Sequence, residues 1–306
     1  MLAPIIIFVY NRLDYVKNLV ASLARNKEAK ESDVFIFSDG PKNEKVAPKV
    51  AAVREYLGEL TKVHCFKQLT VIMAEQNNGL AKSIIDGVTR VMDEYGQAII
   101  VEDDTVVSKD FLDYMNRGLE YYKDDDKIWA IGGYSRPLKS AQAQPHDIYL
   151  TQRISSYTWA SWKDRWDKVD WDLTQYPKFF FDRKQRKQFA LWGEDRPYML
   201  DAQACGKISS WAIRFEYSMM VNNMYAILPA CSRAICNGND GSGTHSREVH
   251  HEFDTVLYEG GEPAKFTNVE LQKEIRQEFI APFKKSWKRQ LIHNWDFLLS
   301  YYRKKK

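Results

Sequence analysis

The sequence predicts an α/β protein, a mostly parallel sheet flanked by helices. Three observations predict it. Over the first 135 residues, apolar runs of strand length alternate with segments of helix length. The runs are almost continuously apolar, as strands covered on both faces must be. Each run ends abruptly in polar residues. In order, residues 4–10 (PIIIFVY) form a strand ending at Asn11, and residues 15–23 (YVKNLVASL) carry apolar residues at helical spacing. Residues 34–40 (VFIFSDG) are a second strand, and a helical stretch follows near 45–60. Residues 69–75 (LTVIMAE) are a third strand, a helix runs from 79 to about 94, and 98–104 (AIIVEDD) are a fourth strand. Such alternation is the pattern of βαβ units. Right-handed crossovers place the carboxyl ends of the strands on one rim.

Ligands of open α/β sheets bind outside those carboxyl ends. The polar residues expected there are Asn11 and Arg12, then Ser38, Asp39 and Gly40, then Gln76, Asn77 and Asn78, then Glu102, Asp103 and Asp104. The first turn, YNRLD, has no glycine, so a dinucleotide fingerprint is absent, and so is a Walker A loop. From about residue 150 the texture changes. Residues 155–181 are rich in aromatics, 192–216 alternate helix-like and strand-like patterns, and 237–244 (NGNDGSGT) form a glycine-rich loop. No proline- or serine-rich linker separates the halves. The expected organisation is 1–136 as a ligand-binding half, 137–283 packed on it in the same globule, and 284–306 as a basic tail.

Composition excludes several classes. At 306 residues the chain can bury a large core, and 44% hydrophobic with 28% charged residues excludes a disordered chain. The formal charge of +3 is unevenly spread: residues 284–306 hold eight Lys or Arg and one Asp, which leaves residues 1–283 at −4. A nucleic-acid binder would be basic over its body as well. No apolar run approaches the roughly 18–20 residues of a membrane span. The N-terminus lacks the basic region and cleavage site of a signal peptide. Cys65, Cys205, Cys231 and Cys236 show no metal-ligand or CxxC spacing, so free thiols in a reducing, cytoplasmic setting are expected.

The triplet Glu102, Asp103 and Asp104 emerges directly from a buried run. Adjacent side chains of a strand alternate faces, so the three act together only if the chain bends there. Clustered carboxylates become tolerable around a hard divalent cation, which one or two carboxylates share with substrate phosphates. A solvated acidic turn that caps the following helix is the alternative.

In this order, FVYNRLDYVKNLVASL, FIFSDGPK, NNGLAKSIIDGV and AIIVEDDTVVSKDFLDYMNRGLEYYKDDDKIWAIGGY resemble the GT-A glycosyltransferases, in the branch that includes N-acetylglucosaminyltransferase I. The resemblance covers residues 3–136 clearly and continues more weakly to about 255. It implies a GT-A, Rossmann-like sheet, an acceptor-side α+β region and, from the tail pattern, a C-terminal basic amphipathic helix. It also implies donor contacts from Arg12, Asp39 and Asp103, with support from Glu102, while Asp104 ligates Mn2+ or Mg2+. Lys82 opens a helix at the same rim and is a further donor-binding candidate; a solvated helix lysine is the alternative.

An inverting transferase also needs a carboxylate to deprotonate the acceptor hydroxyl. The family places it beside a Trp, in a segment resembling LWGEDRPYML, which selects Asp195 with Glu194 in reserve. His245, in the loop that in that family folds over the donor, is a candidate to donate to the diphosphate or to ligate the metal. Trp159 and Trp162 are acceptor-platform candidates; with Trp166 they also fit one face of a core helix, at i, i+3 and i+7.

The expected function is a metal-dependent, inverting transfer of a sugar from a nucleotide-sugar, UDP by resemblance, to a glycan or lipid-linked acceptor. A sugar-phosphate nucleotidyltransferase and a non-catalytic sugar-binding protein on the same fold are the alternatives. FVYNRLD offers no glycine-rich basic loop for the triphosphate that the former requires. In the tail, Trp287, Leu291, Trp295, Leu298 and Leu299 fall near one helical face among lysines. That pattern suits a helix on the anionic inner face of a membrane or one docked on the body.

Overall fold

The computed structural model describes residues 2–238 and 254–284. Its centre is one eight-stranded sheet in the order β3-β2-β1-β4-β8-β6-β9-β7. The strands are β1 (Ile5–Val9), β2 (Asp33–Ser38), β3 (Gln68–Met73), β4 (Gln97–Glu102), β6 (Ile128–Gly132), β7 (Ile148–Thr151), β8 (Thr158–Trp162) and β9 (Tyr225–Pro229). β1 through β4 pair in parallel, and so do β6 and β9. β7 and β8 run against their neighbours. Six strands therefore point their carboxyl ends to one rim. Every residue of β1, β6 and β8 is buried, the consequence of helices on both faces.

Helices α1 (Leu13–Leu23), α2 (Ala47–Leu60) and α3 (Leu80–Tyr95) lie within two residues of where sequence spacing expects them, and α4 (Phe111–Tyr122) follows the acidic turn and the short strand at 105–107. α1, α2 and α4 press Leu19, Leu57 and Met115 onto the face carrying Ile5, Ile7 and Ile99. α3 covers the opposite face, where Ile84 and Val88 meet Ile6, Phe8 and Ile100. The second half adds α5 (Lys139–Gln142), α6 (Lys163–Trp166), α7 (Tyr176–Phe181), α8 (Arg183–Ala190), α9 (Arg196–Ala204), α10 (Trp211–Val221) and α11 (Lys273–Ile280). Three of the eight sheet strands also come from this half, and β8 inserts between β4 and β6. No helix among the described residues is long and apolar enough to cross a membrane.

Two local expectations are corrected. The fourth strand stops at Glu102, and Asp103 and Asp104 form a turn. The chain then enters β5 (Thr105–Val107), which pairs with β10 (Ala234–Cys236) in a two-stranded side sheet. The bend that the acidic triplet requires is therefore present.

The second correction concerns Trp159 and Trp162, which lie on a strand and not on a core helix. Trp159 pairs with Ile100 of β4. The period of two sends Trp159 and Trp162 to opposite faces, and both belong to the core at 0% and 5% exposure. Neither ring can serve as an acceptor platform. The i, i+3, i+7 spacing is satisfied another way: the chain turns after Trp162 and α6 folds Trp166 back over Trp159, with centroids 5.7 Å apart. Trp211 and Phe215 of α10 close the cluster at 5.0 Å. Trp159→Ala should therefore cost about 3–5 kcal/mol. Chemical denaturation checks this, and a loss below about 1 kcal/mol would contradict the packing.

Candidate active site

The carboxyl rim brings together residues about ninety positions apart in the chain. Arg12 follows β1, and its guanidinium is ion-paired with both Asp103 and Asp104, the latter at 2.9 Å. It also lies over the Tyr15 ring, 4.9 Å from the centroid. Burial pushes the Asp103 carboxyl up to about 6, against the pull of Arg12. Burial raises Glu102 well above the usual carboxylate range, and the charges of Asp104 and Asp103 add to it. Glu102 is hydrogen-bonded to Ser156, and its N–H donates to the Tyr157 carbonyl at 3.0 Å. These bonds tie the acidic turn to residues 156–157.

The opposite wall is the segment after β10. The Asn237 N–H donates to the Asp104 carbonyl at 2.8 Å. A Cβ at Gly238 would stand 2.1 Å from Asp104 Oδ2, so only glycine lets the backbone approach so closely. Burial and the nearby Asp104 charge hold the Cys236 thiol protonated. Two buried atoms in this packed corner have no hydrogen-bond partner: Nη1 of Arg12, a donor, and Oδ1 of Asp104, an acceptor. Leaving such groups unpaired costs about 1–3 kcal/mol each. One orphaned donor beside one orphaned acceptor suits an anion on Arg12 together with a cation on Asp104. Among the described residues no group of three or more His, Cys, Asp or Glu side chains could hold a metal ion alone. A divalent cation here would share its coordination with phosphate oxygens, a fit that the donor set allows.

Asp39, after β2, has a different local task. Its Oδ1 accepts from the N–H groups of Gly40 and Asn78, and its Oδ2 from Gly79 N–H and Asn77 Nδ2, all at 2.8–3.0 Å. The carboxylate fastens the turn after β3 to the end of β2. Arg54 of α2, which the sequence reading did not single out, locks the same two ends by donating to the carbonyls of Ser38, Asp39 and Ala74. Lys82 is corrected: it is 62% exposed and pairs with Asp86 one helical turn further on. It is the solvated helix lysine of the two readings.

Asp195 stands at the N-cap of α9, and both its oxygens accept from Arg153, at 2.7 and 2.8 Å. Gly193 makes this pair possible. A Cβ there would lie 2.2 Å from the Arg153 guanidinium and 2.5 Å from Asp195 Oδ1, and its φ of +145° is one that L side chains rarely adopt. The next residue of the segment, Ile154, donates its N–H to Glu216 at 3.0 Å, and Glu216 pairs with fully buried Arg196 at 2.9 Å. Residues 153–157 thus run from the Asp195 pair to Ser156 and Tyr157, which brace Glu102. They border a cavity of about 190 Å³, closed also by Tyr134, Arg136, Phe279 and Phe283. Glu194 is half-buried beside Asp195.

Arg153 and Arg136 were not anticipated. A signal for Arg136 existed: GGYSR follows β6 as NR follows β1, so it belongs to the same rim. His245 lies outside the described residues, as does the tail from residue 285 onward.

A largely parallel sheet with a buried acidic turn at its carboxyl rim, an arginine across from it and a cavity beside it defines a GT-A-type glycosyltransferase. The chain belongs to the GNT-I family, whose model matches residues 1–192. No curated protein is significantly similar in sequence. Among solved structures, the chain is similar to the mannosyltransferase PcManGT from Pyrobaculum calidifontis in complex with GDP-Man and Mn2+, at 12% identity and a TM-score of 0.39, over 55% of this chain and 46% of that one. It is similar to GalNAc-T7 with UDP, GalNAc and Mn2+ at 11% identity and a TM-score of 0.46, over 76% and 42%. It is also similar to S. aureus TarS 1-349 at 15% identity and a TM-score of 0.42, over 78% and 62%. The chain thus spans less than half the length of the first two.

Proposed function

We propose that this glycosyltransferase is metal-dependent and inverting, and that it moves a sugar from a nucleotide-sugar, with UDP as the nucleotide, to a hydroxyl of a glycan or lipid-linked acceptor. The observation that carries the reading is the orphaned pair, Arg12 Nη1 and Asp104 Oδ1, on the carboxyl rim. Asp104 would hold Mn2+ or Mg2+, and Arg12 would face an oxygen of the donor. The ion supplies the positive charge that stabilises the departing diphosphate. Asp103 faces the donor from the same turn. Asp39 and Arg54 act one step back, by fixing the 77–79 turn that walls the nucleotide side.

Asp195 is the proposed base. It is the carboxylate tied to the cavity wall on the far side of residues 153–157, and the Arg153 pair fixes its position. The proton of the acceptor hydroxyl would pass to one of its oxygens as the hydroxyl attacks the anomeric carbon opposite the leaving group. With a lipid-linked acceptor, the work would take place on the cytoplasmic face of a membrane, where the basic segment 284–306 suits anionic headgroups; that support comes from the sequence alone.

A screen of nucleotide-sugars by thermal unfolding tests this reading. One nucleotide-sugar should raise the midpoint by several degrees at saturation, only with Mn2+ or Mg2+ present, and should release its nucleotide on turnover. Failure of every nucleotide-sugar to stabilise the protein or be turned over would reject the reading.

A further inference from the structure

Four arginines are buried among the described residues: Arg136, Arg165, Arg196 and Arg233. Three have a carboxylate partner, namely Asp164, Glu216 and Asp110. Arg136, 8% exposed and on the cavity wall, has none within ion-pair distance among the described residues. Its guanidinium donates to the Phe279 carbonyl and lies by the rings of Phe279 and Phe283, 5.2 and 5.3 Å from their centroids. Among the described carboxylates, only Glu278 attracts it, and only through space, without an ion pair. Arg153 is itself a cation, already neutralised by Asp195. Glu278 accepts from the N–H groups of Lys139 and Ser140 and from the Ser140 hydroxyl. Among the described residues the cavity therefore holds one arginine without an ion pair, in partly apolar walls where burial works against its charge. A cation that the fold leaves without its counter-charge is costly unless a ligand brings one.

We infer that the cavity is an acceptor subsite for an oxyanion, in which a phosphoryl or carboxylate group of the acceptor pairs with Arg136 while the adjoining ring or chain lies against Phe279, Phe283 and Tyr157. Calling it an acceptor site rests on the glycosyltransferase reading; the anion preference does not. A planar guanidinium can meet two oxygens of either group at once. The Tyr157 segment links this subsite to Glu102 on the metal side and to Asp195 on the other.

Calorimetric titration of the full chain without divalent cation, using N-acetylglucosamine 1-phosphate, glucuronic acid and neutral N-acetylglucosamine as probes, tests the assignment. At least one anionic probe should bind roughly 10–100-fold more tightly than the neutral sugar, and the stronger of the two identifies a phosphoryl or a carboxylate source. Arg136→Met should erase the preference while UDP binding with Mn2+ stays unchanged. If Arg136→Met does not fold, Arg136→Lys must still weaken the anionic probe and leave the neutral one unaltered, because it loses the planar fork. Equal or undetectable binding of all three probes, a preference that survives these substitutions, or loss of UDP binding in a folded variant overturns the inference. Anion binding without turnover of any nucleotide-sugar would instead overturn the functional reading and leave the subsite standing.

Discussion

Asp104→Ala should lower metal-dependent transfer by about 10²–10³-fold or more. The carboxylate offers the buried, unpartnered oxygen of the acidic corner, and Ala cannot replace it. Arg12 keeps its pair with Asp103, so the corner should hold its shape, and an unchanged melting profile would verify that. Binding of the donor nucleotide should lose its dependence on Mn2+, because the ion would no longer be anchored between protein and phosphates. Asp104→Asn keeps an oxygen but not the charge and should fall between the two. Unaltered metal-dependent activity in Asp104→Ala would remove Asp104 from the ligand set.

For Asp195→Asn, donor binding should survive while kcat falls by about 10²–10⁴-fold, the range that a positioned base contributes. The bidentate pair complicates the readout, because Asn also turns an amide donor toward the Arg153 guanidinium. Arg153→Met separates the two roles. It leaves the Asp195 carboxylate in place but loosens residues 153–157, so its effect should fall mainly on acceptor KM and stability. A kcat loss in Arg153→Met as large as that in Asp195→Asn would make Asp195 a positioning residue that acts through Arg153. Full transfer by Asp195→Asn would reject the base assignment.

Much of the frame was legible in the sequence because it depends on patterns within single segments. Runs such as IIIFV and AIIV can only be buried strands, and their polar ends can only meet at the carboxyl rim once helices cross between them. Arg12, Asp39 and the acidic triplet were found by that route. Trp159 and Trp162 were misread because eight residues with three large rings, 159–166, fit a helical spacing although the first two lie on a strand. Insertion of β8 between two strands that arise earlier in the chain decided for the period of two.

The sequence by itself determined the fold class, the rim on which the chemistry assembles and the residue types placed there, since hydrophobic period and strand–helix alternation are local. Only the tertiary structure decided what each side chain is free to do. Asp39 is engaged by the turn at 77–79, and Asp195 is paired with an arginine 42 positions away. Arg12 and Asp104, 92 positions apart, each keep one unpartnered atom, and Arg136 has no carboxylate within ion-pair distance among the described residues. Availability of this kind is a balance of donors, acceptors and charges within a few ångströms, drawn from distant parts of the chain, and no window of sequence contains it.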